Sequence, residues 1–192
     1  MTLTESVLDR FRRSGALLEG HFKLSSGLHS GGYLQCALVL QDPRDAEALG
    51  RALADKVRAL GVPAPAVVLS PAMGGIIIGH EVARALGARA IFAERQEGTL
   101  TLRRGFALRP GERVLVVEDV LTTGLSTRET IDVAREAGAE VVAAAAIINR
   151  SHEPGLQVPF AALAEYVLPN YEPETCPLCA AGKPITKPGS RA

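Results

Sequence analysis

A chain of 192 residues, 47% apolar and 22% charged, is long enough to bury one substantial core, and a single domain is expected. Lys plus Arg and Asp plus Glu both number 21, so the zero net charge excludes general attraction to nucleic acid or anionic lipid, and any basic site must be local. No apolar run reaches the ~18 residues of a membrane span, and Met1 to Arg13 is amphipathic and charged rather than signal-like, which predicts a cytoplasmic protein.

Residues 15–40, GALLEGHFKLSSGLHSGGYLQCALVL, alternate short apolar pieces with Gly and Ser, the pattern of hairpin material outside a main sheet. Asp42 before Pro43 opens a helix in which Leu49, Leu53, Val57 and Leu60 recur at helical spacing until Gly61 and Pro63 stop it. AVVL (66–69), the glycine-opened helix GGIIIGHEVARALG and RAIFA (89–93) follow in the strand, helix, strand rhythm of a parallel sheet. Residues 94–108, ERQEGTLTLRRGFAL, form a polar, Arg-rich excursion between core strands, a pattern that often serves as a lid. RVLVV (113–117) then feeds a helix from Thr123 to Ala137 closed by Gly138, VVAAAAII (141–148) is a fourth strand, and FAALAEYVL (160–168) is a candidate fifth. The class is α/β, with helices on both faces of a mostly parallel sheet.

The tail from Pro169 is Pro-rich and reads as irregular. Cys36, Cys176 and Cys179 make no disulfide framework. Cys176 and Cys179 form a C-x-x-C that fits half a zinc site, a redox pair or two small residues near a turn. Tetrahedral zinc wants four ligands and no second Cys/His pair stands at suitable spacing, so no protein-held metal is expected.

In an open parallel sheet, ligands collect where strands end and helices begin. SPAMGG (70–75) and EDVLTTG (118–124) both lie at such ends, each offering free backbone N–H groups and glycines that let an anion approach. Glu118 and Asp119 end a buried strand, where adjacent carboxylates are costly unless they meet a cation or hydroxyl groups. Neither loop is G-x-x-x-x-G-K-[ST] and the chain lacks G-x-G-x-x-G, so ordinary nucleotide and dinucleotide sites lose their main support. The pieces fit a sugar with a phosphate at Thr122–Ser126, vicinal hydroxyls at Glu118 and Asp119, and a diphosphate near Ala72–Gly75.

VLVVEDVLTTGLS is similar to the 5-phosphoribosyl-1-diphosphate (PRPP) signature of type I phosphoribosyltransferases: apolar strand, acidic pair, Thr-Thr-Gly loop. FKLSSGLHSGGYLQ (22–35) resembles the F-x-L-x-S-G-x-x-S segment of the orotate phosphoribosyltransferases, and CPLCAAGKPITKPGSR (176–191) resembles the tail of one branch of them. The resemblance implies the type I phosphoribosyltransferase fold as one domain, with a hood over the base built from residues 15–40 and the tail. By the same resemblance Glu118, Asp119, Val120, Leu121, Thr122, Thr123, Gly124, Leu125 and Ser126 hold PRPP, with Ala72, Met73, Gly74 and Arg95. Asp119 and Arg95 carry the catalytic roles; Thr122, Arg150, Tyr33 and Leu34 contact orotate. A guanidinium at Arg150 also suits a planar carboxylate on charge grounds.

The implied reaction transfers phosphoribosyl from PRPP to orotate, giving orotidine 5′-phosphate and diphosphate, with Mg²⁺ held mainly by PRPP oxygens. The lid is implied to close over the neighbouring site of a homodimer, bringing Arg95, Arg103 or Arg104 to the diphosphate. Departures from the family pattern concern charge: many relatives have lysine at Ser25 and Gly74, and lysines and a histidine where this lid has Arg95, Gln96, Gly98 and Leu100. The rivals are a phosphoribosyltransferase for a purine or other base, and a non-catalytic PRPP-binding regulator of transcription.

Overall fold

The computed structural model describes residues 3–24, 26–151 and 154–187. In chain order the elements are α1 Leu3–Arg13, β1 Leu17–Lys23, β2 His29–Leu34, α2 Ala37–Leu40, α3 Pro43–Ala59, β3 Val67–Pro71, α4 Gly75–Leu86, β4 Arg89–Gln96 and β5 Thr99–Leu102. They continue as β6 Arg113–Leu121, α5 Leu125–Glu136, β7 Glu140–Asn149, β8 Phe160–Glu165, β9 Asn170–Tyr171 and a short α6 Pro177–Ala180. No helix among the described residues is long and apolar enough to cross a membrane.

The main sheet has the order β5-β4-β3-β6-β7-β8, parallel except for β5. Its central strands carry long apolar runs because both faces are covered, and the pleat assigns alternate residues to each cover. Val68, Leu115, Val117, Ala145 and Ile147 join a core with residues of α1, α3 and α4, whereas Val67, Leu69, Val114, Val116 and Ala144 join one with Ile131 and Ala134 of α5. Helix α3 starts as the sequence predicts, with the Asp42 carboxylate accepting from the Arg44 N–H at 2.9 Å and Pro43 in the first turn.

Three expected boundaries move. β6 runs on to Leu121, because β7 extends to Asn149 and supplies partners for Glu118, Val120 and Leu121; the acidic pair therefore lies in the strand. Helix α5 correspondingly begins at Leu125 rather than Thr123. The 94–108 stretch is half hairpin: β5 pairs with the end of β4 across a turn in which Glu97 and Gly98 both have positive φ, 49° and 90°. Leu100 and Leu102 of β5 pack into the α5-side core, which explains why this polar stretch docks on the sheet edge.

Residues 15–40 do form a hairpin outside the main sheet, β1 with β2, to which β9 adds a third antiparallel strand. The tail is tied to this sheet rather than irregular: the Lys23 N–H donates to the Thr186 carbonyl at 2.8 Å and the Thr186 N–H to the His21 carbonyl at 2.9 Å. Ser25 of the hood motif, and residues 188–192 with the end of the tail motif, lie outside the described residues.

Candidate active site

From β3 the chain turns to β4 on one side and returns as β6 on the other, so the topological switch point lies between β3 and β6. Both sequence-predicted loops emerge there. Beyond β3, Ala72 is half-buried and Met73 is 83% exposed, with Gly74 leading into α4. Beyond β6, Thr122 and Thr123 are exposed and Gly124 leads into α5 at φ 74°. Only glycine suits that position, since a Cβ would also stand 2.9 Å from the Pro154 carbonyl oxygen. The first-turn N–H groups of α5 have no intrahelical acceptors and face the loop that the Thr hydroxyls line.

The acidic pair straddles the sheet. The pleat turns Glu118 toward α5, where its Oε2 accepts from the Ser126 hydroxyl at 2.7 Å. Asp119 turns the other way and accepts from the Val120 N–H at 2.7 Å. A Cβ on Gly74 would stand 2.5 Å from the Asp119 Oδ2, so the carboxylate occupies the space that a side chain at position 74 would need. Position 74, where the sequence resemblance leads one to expect lysine, thus has room for glycine alone while Asp119 keeps this place.

Burial, and then the charge of Asp119, pushes the Glu118 carboxyl up to about 8. Burial likewise raises Asp119 above the usual carboxylate range. Among the described residues no Lys or Arg side chain pairs with either. Cys36, buried just before α2, faces the same carboxylates; burial first and Asp119 second push its thiol well above the ordinary value. No sequence signal marked Cys36, because a lone cysteine 83 positions before Asp119 has no motif to belong to.

Arg150 follows β7, its N–H donating to the Leu121 carbonyl at 2.8 Å, which seats it beside the end of β6. Its Nε is buried with no hydrogen-bond partner among the described residues, and burial pulls the guanidinium below its ordinary value while Tyr166 opposes this. A half-buried guanidinium with an unused donor is the state expected of a group awaiting an anion. The hood reaches this corner. A Cβ on Gly32 would stand 2.5 Å from Leu168 Cδ1 and 3.6 Å from the Tyr166 hydroxyl. Tyr33 and Leu34 point to opposite sides of β2: Tyr33 sits 6.2 Å, ring to ring, from Phe22, and Leu34 packs against the main core.

The lid arginines are elsewhere engaged. Arg95 pairs with Glu129 of α5 and with the Gly98 carbonyl. Arg104 bonds Glu94 at 2.6 Å and lies 5.9 Å over the Phe92 ring, and Arg103 stands 3.7 Å from Glu94. The structure therefore gathers the 72–74 and 118–126 residues and Arg150 along one edge of the sheet, with Tyr33 and Leu34 in the adjoining hood, and holds Arg95 on the outer face of α5.

Comparison with known proteins agrees with this layout. Residues 39–158 match the phosphoribosyl transferase domain family. The chain is 56% identical to an orotate phosphoribosyltransferase of Heliobacterium modesticaldum, over 97% of this chain and 98% of the relative. It is also 56% identical to one from Novosphingobium aromaticivorans, over 99% and 98%. The crystal structure of orotate phosphoribosyltransferase from Aeropyrum pernix superposes with a TM-score of 0.66 at 25% identity, covering 83% of this chain and 93% of that one.

Proposed function

Because the chain belongs to the orotate phosphoribosyltransferase family, we propose that the switch-point edge just described holds PRPP while orotate docks between Arg150 and the hood. The protein transfers phosphoribosyl from PRPP to orotate, yielding orotidine 5′-phosphate and diphosphate in pyrimidine biosynthesis. The rival acceptor and regulator readings give way to relatives that share over half of its residues across nearly the whole chain.

The observation that carries the site assignment is the pair of buried Glu118 and half-buried Asp119, without a Lys or Arg partner among the described residues and both raised above the carboxylate range at the switch point. Such a pair resists carrying two charges until positive charge arrives. Displacement at the anomeric carbon supplies it, since diphosphate departure leaves oxocarbenium character on the ribose. Glu118, oriented by Ser126, and Asp119, wedged against Gly74, then position ribose hydroxyls and stabilise that charge. Thr122, Thr123, Gly124, Leu125 and Ser126 with the α5 amino terminus receive the 5-phosphate, flanked by Val120 and Leu121, while Ala72, Met73 and Gly74 offer main chain to the diphosphate.

The residues present fit Mg²⁺: hard oxygen donors, desolvated and without a basic partner. Asp119 and Glu118 would help hold the ion, which would arrive with PRPP and supply charge neutralisation for the departing diphosphate. Orotate is oriented by its carboxylate on Arg150, with Thr122 beside it and Tyr33 and Leu34 of the hood bordering its ring. Closure of the lid from the partner of a homodimer would bring Arg95 to the diphosphate and keep water out.

The test is the ultraviolet absorbance of orotate, which should fall when PRPP and Mg²⁺ are added, with stoichiometric release of diphosphate. Consumption of adenine or hypoxanthine in its place, with orotate untouched, would reject the acceptor.

A further inference from the structure

The hood contains a cluster that the transferase reaction does not use. The nitrogens of His21 and His29 and the sulfurs of Cys176 and Cys179 all lie within 4.8 Å of one another. His21 Nε2 is 3.0 Å from His29 Nδ1, 3.6 Å from Cys176 Sγ and 3.7 Å from Cys179 Sγ, and Cys179 Sγ is 3.3 Å from His29 Nδ1. Zinc–ligand lengths and tetrahedral angles give edges of about 3.3 Å between two nitrogens and about 3.6 Å between nitrogen and sulfur. The four separations just given lie within about 0.3 Å of those edges, and no pair of the four ligand atoms is more than 4.8 Å apart.

Hydrogen bonding alone does not account for this convergence. His21 Nδ1 is 2.9 Å from the Lys183 carbonyl, an acceptor, so Nδ1 carries the proton and Nε2 presents a single lone pair. His29 and both thiols surround that lone pair, which can accept from only one. Cys179 can turn to His29 Nδ1 at 3.3 Å only if that nitrogen is unprotonated, which sets two lone pairs face to face at 3.0 Å. A cation at the centre satisfies all four. The carbonyl that fixes the His21 tautomer is the outer partner that metal-bound histidines have as a rule.

We propose that His21, His29, Cys176 and Cys179 bind one zinc ion. Two imidazoles and two thiolates are a borderline-soft donor set that suits zinc and disfavours magnesium. Four protein ligands leave no open position, so the ion is structural. It clamps β1 and β2 to the tail, joining residues 155 positions apart. The hood is a three-stranded sheet with little apolar core of its own, the circumstance in which a metal clip contributes most.

Spacing along the chain conceals the site. C-x-x-C is visible, but the histidines stand eight positions apart on the two arms of a hairpin and meet only because β1 pairs antiparallel with β2.

Chain expressed without a histidine tag and purified in reductant should carry about one zinc by elemental analysis. Cobalt(II) added to chelator-stripped protein in reductant should give the intense visible bands of a tetrahedral ion and a thiolate charge-transfer band, both abolished by zinc. Cys179→Ser changes an exposed residue, and should lower retained metal at least tenfold while the far-ultraviolet circular dichroism is unchanged. Less than about a tenth of an equivalent of zinc in the untreated protein, together with no tetrahedral cobalt spectrum, overturns the proposal. Full zinc content in both Cys179→Ser and His29→Asn overturns it as well. None of these measurements involves orotate or PRPP, so their outcome is separate from that of the transfer assay.

Discussion

The carboxylates at the switch point and the arginines of the 94–108 hairpin are oppositely provisioned. Glu118 is buried and Asp119 beside it half-buried, with no Lys or Arg partner among the described residues, so carrying charge on both is costly. Arg95, Arg103 and Arg104 are exposed, and each already has an acidic partner in Glu94 or Glu129. A desolvated charge is dear to create and strong when used, whereas exposed pairs are worth only ~0.2–1 kcal/mol and exchange easily. In the proposed reaction the strand supplies the fixed groups and the hairpin the movable ones.

That contrast is most exposed at Asp119. Asp119→Asn should lower turnover ~10²–10³-fold, the scale of one electrostatic contact to the transition state; near-normal steady-state turnover would remove the carboxylate from its role. Arg150→Ala should raise the orotate KM by roughly 10–100-fold, the worth of a charged hydrogen bond, with a smaller change in kcat. An unchanged KM would take Arg150 out of the base site.

Glu118 gives a pH signature. Burial and the neighbouring Asp119 push its carboxyl up to about 8 from an ordinary 4.5, so the native state binds the proton more tightly than the unfolded one. The associated stability is fully present below the unfolded value and is lost as pH rises toward the folded one. Glu118→Gln should therefore melt higher than the parent at about pH 8.5, by on the order of 1–3 kcal/mol, and match it near pH 4.5. Parallel melting curves at both pH values would deny the burial cost.

The smallest effect concerns the hairpin. Glu129→Gln frees Arg95, and should lower the KM for PRPP by no more than about fivefold. A raised KM would show that Glu129 positions Arg95 rather than detains it.

Much of this architecture is written locally. The apolar runs of β3, β6 and β7, and Asp42 with Pro43 before α3, reveal themselves because burial on both faces and helix capping leave short-range marks. The Thr-Thr-Gly loop and its acidic pair are legible for the same reason. What escapes is what depends on partners far along the chain. The end of β6 is set by the length of β7, β5 by a positive-φ turn at Glu97 and Gly98, and the setting of Cys36 by carboxylates many residues later. The face each carboxylate occupies needs the strand register, which the extension of β6 alone provides.

The two bonds that join Thr186 to Lys23 and His21 also order events during synthesis. All six strands of the main sheet lie in the chain between these partners. A ribosome delivers the chain amino end first, so that sheet can assemble while the opening hairpin still lacks its seal. The last-made residues finish the first-made ones, and a nascent chain stopped short of position 186 has the switch-point edge but lacks the two bonds that close the hairpin.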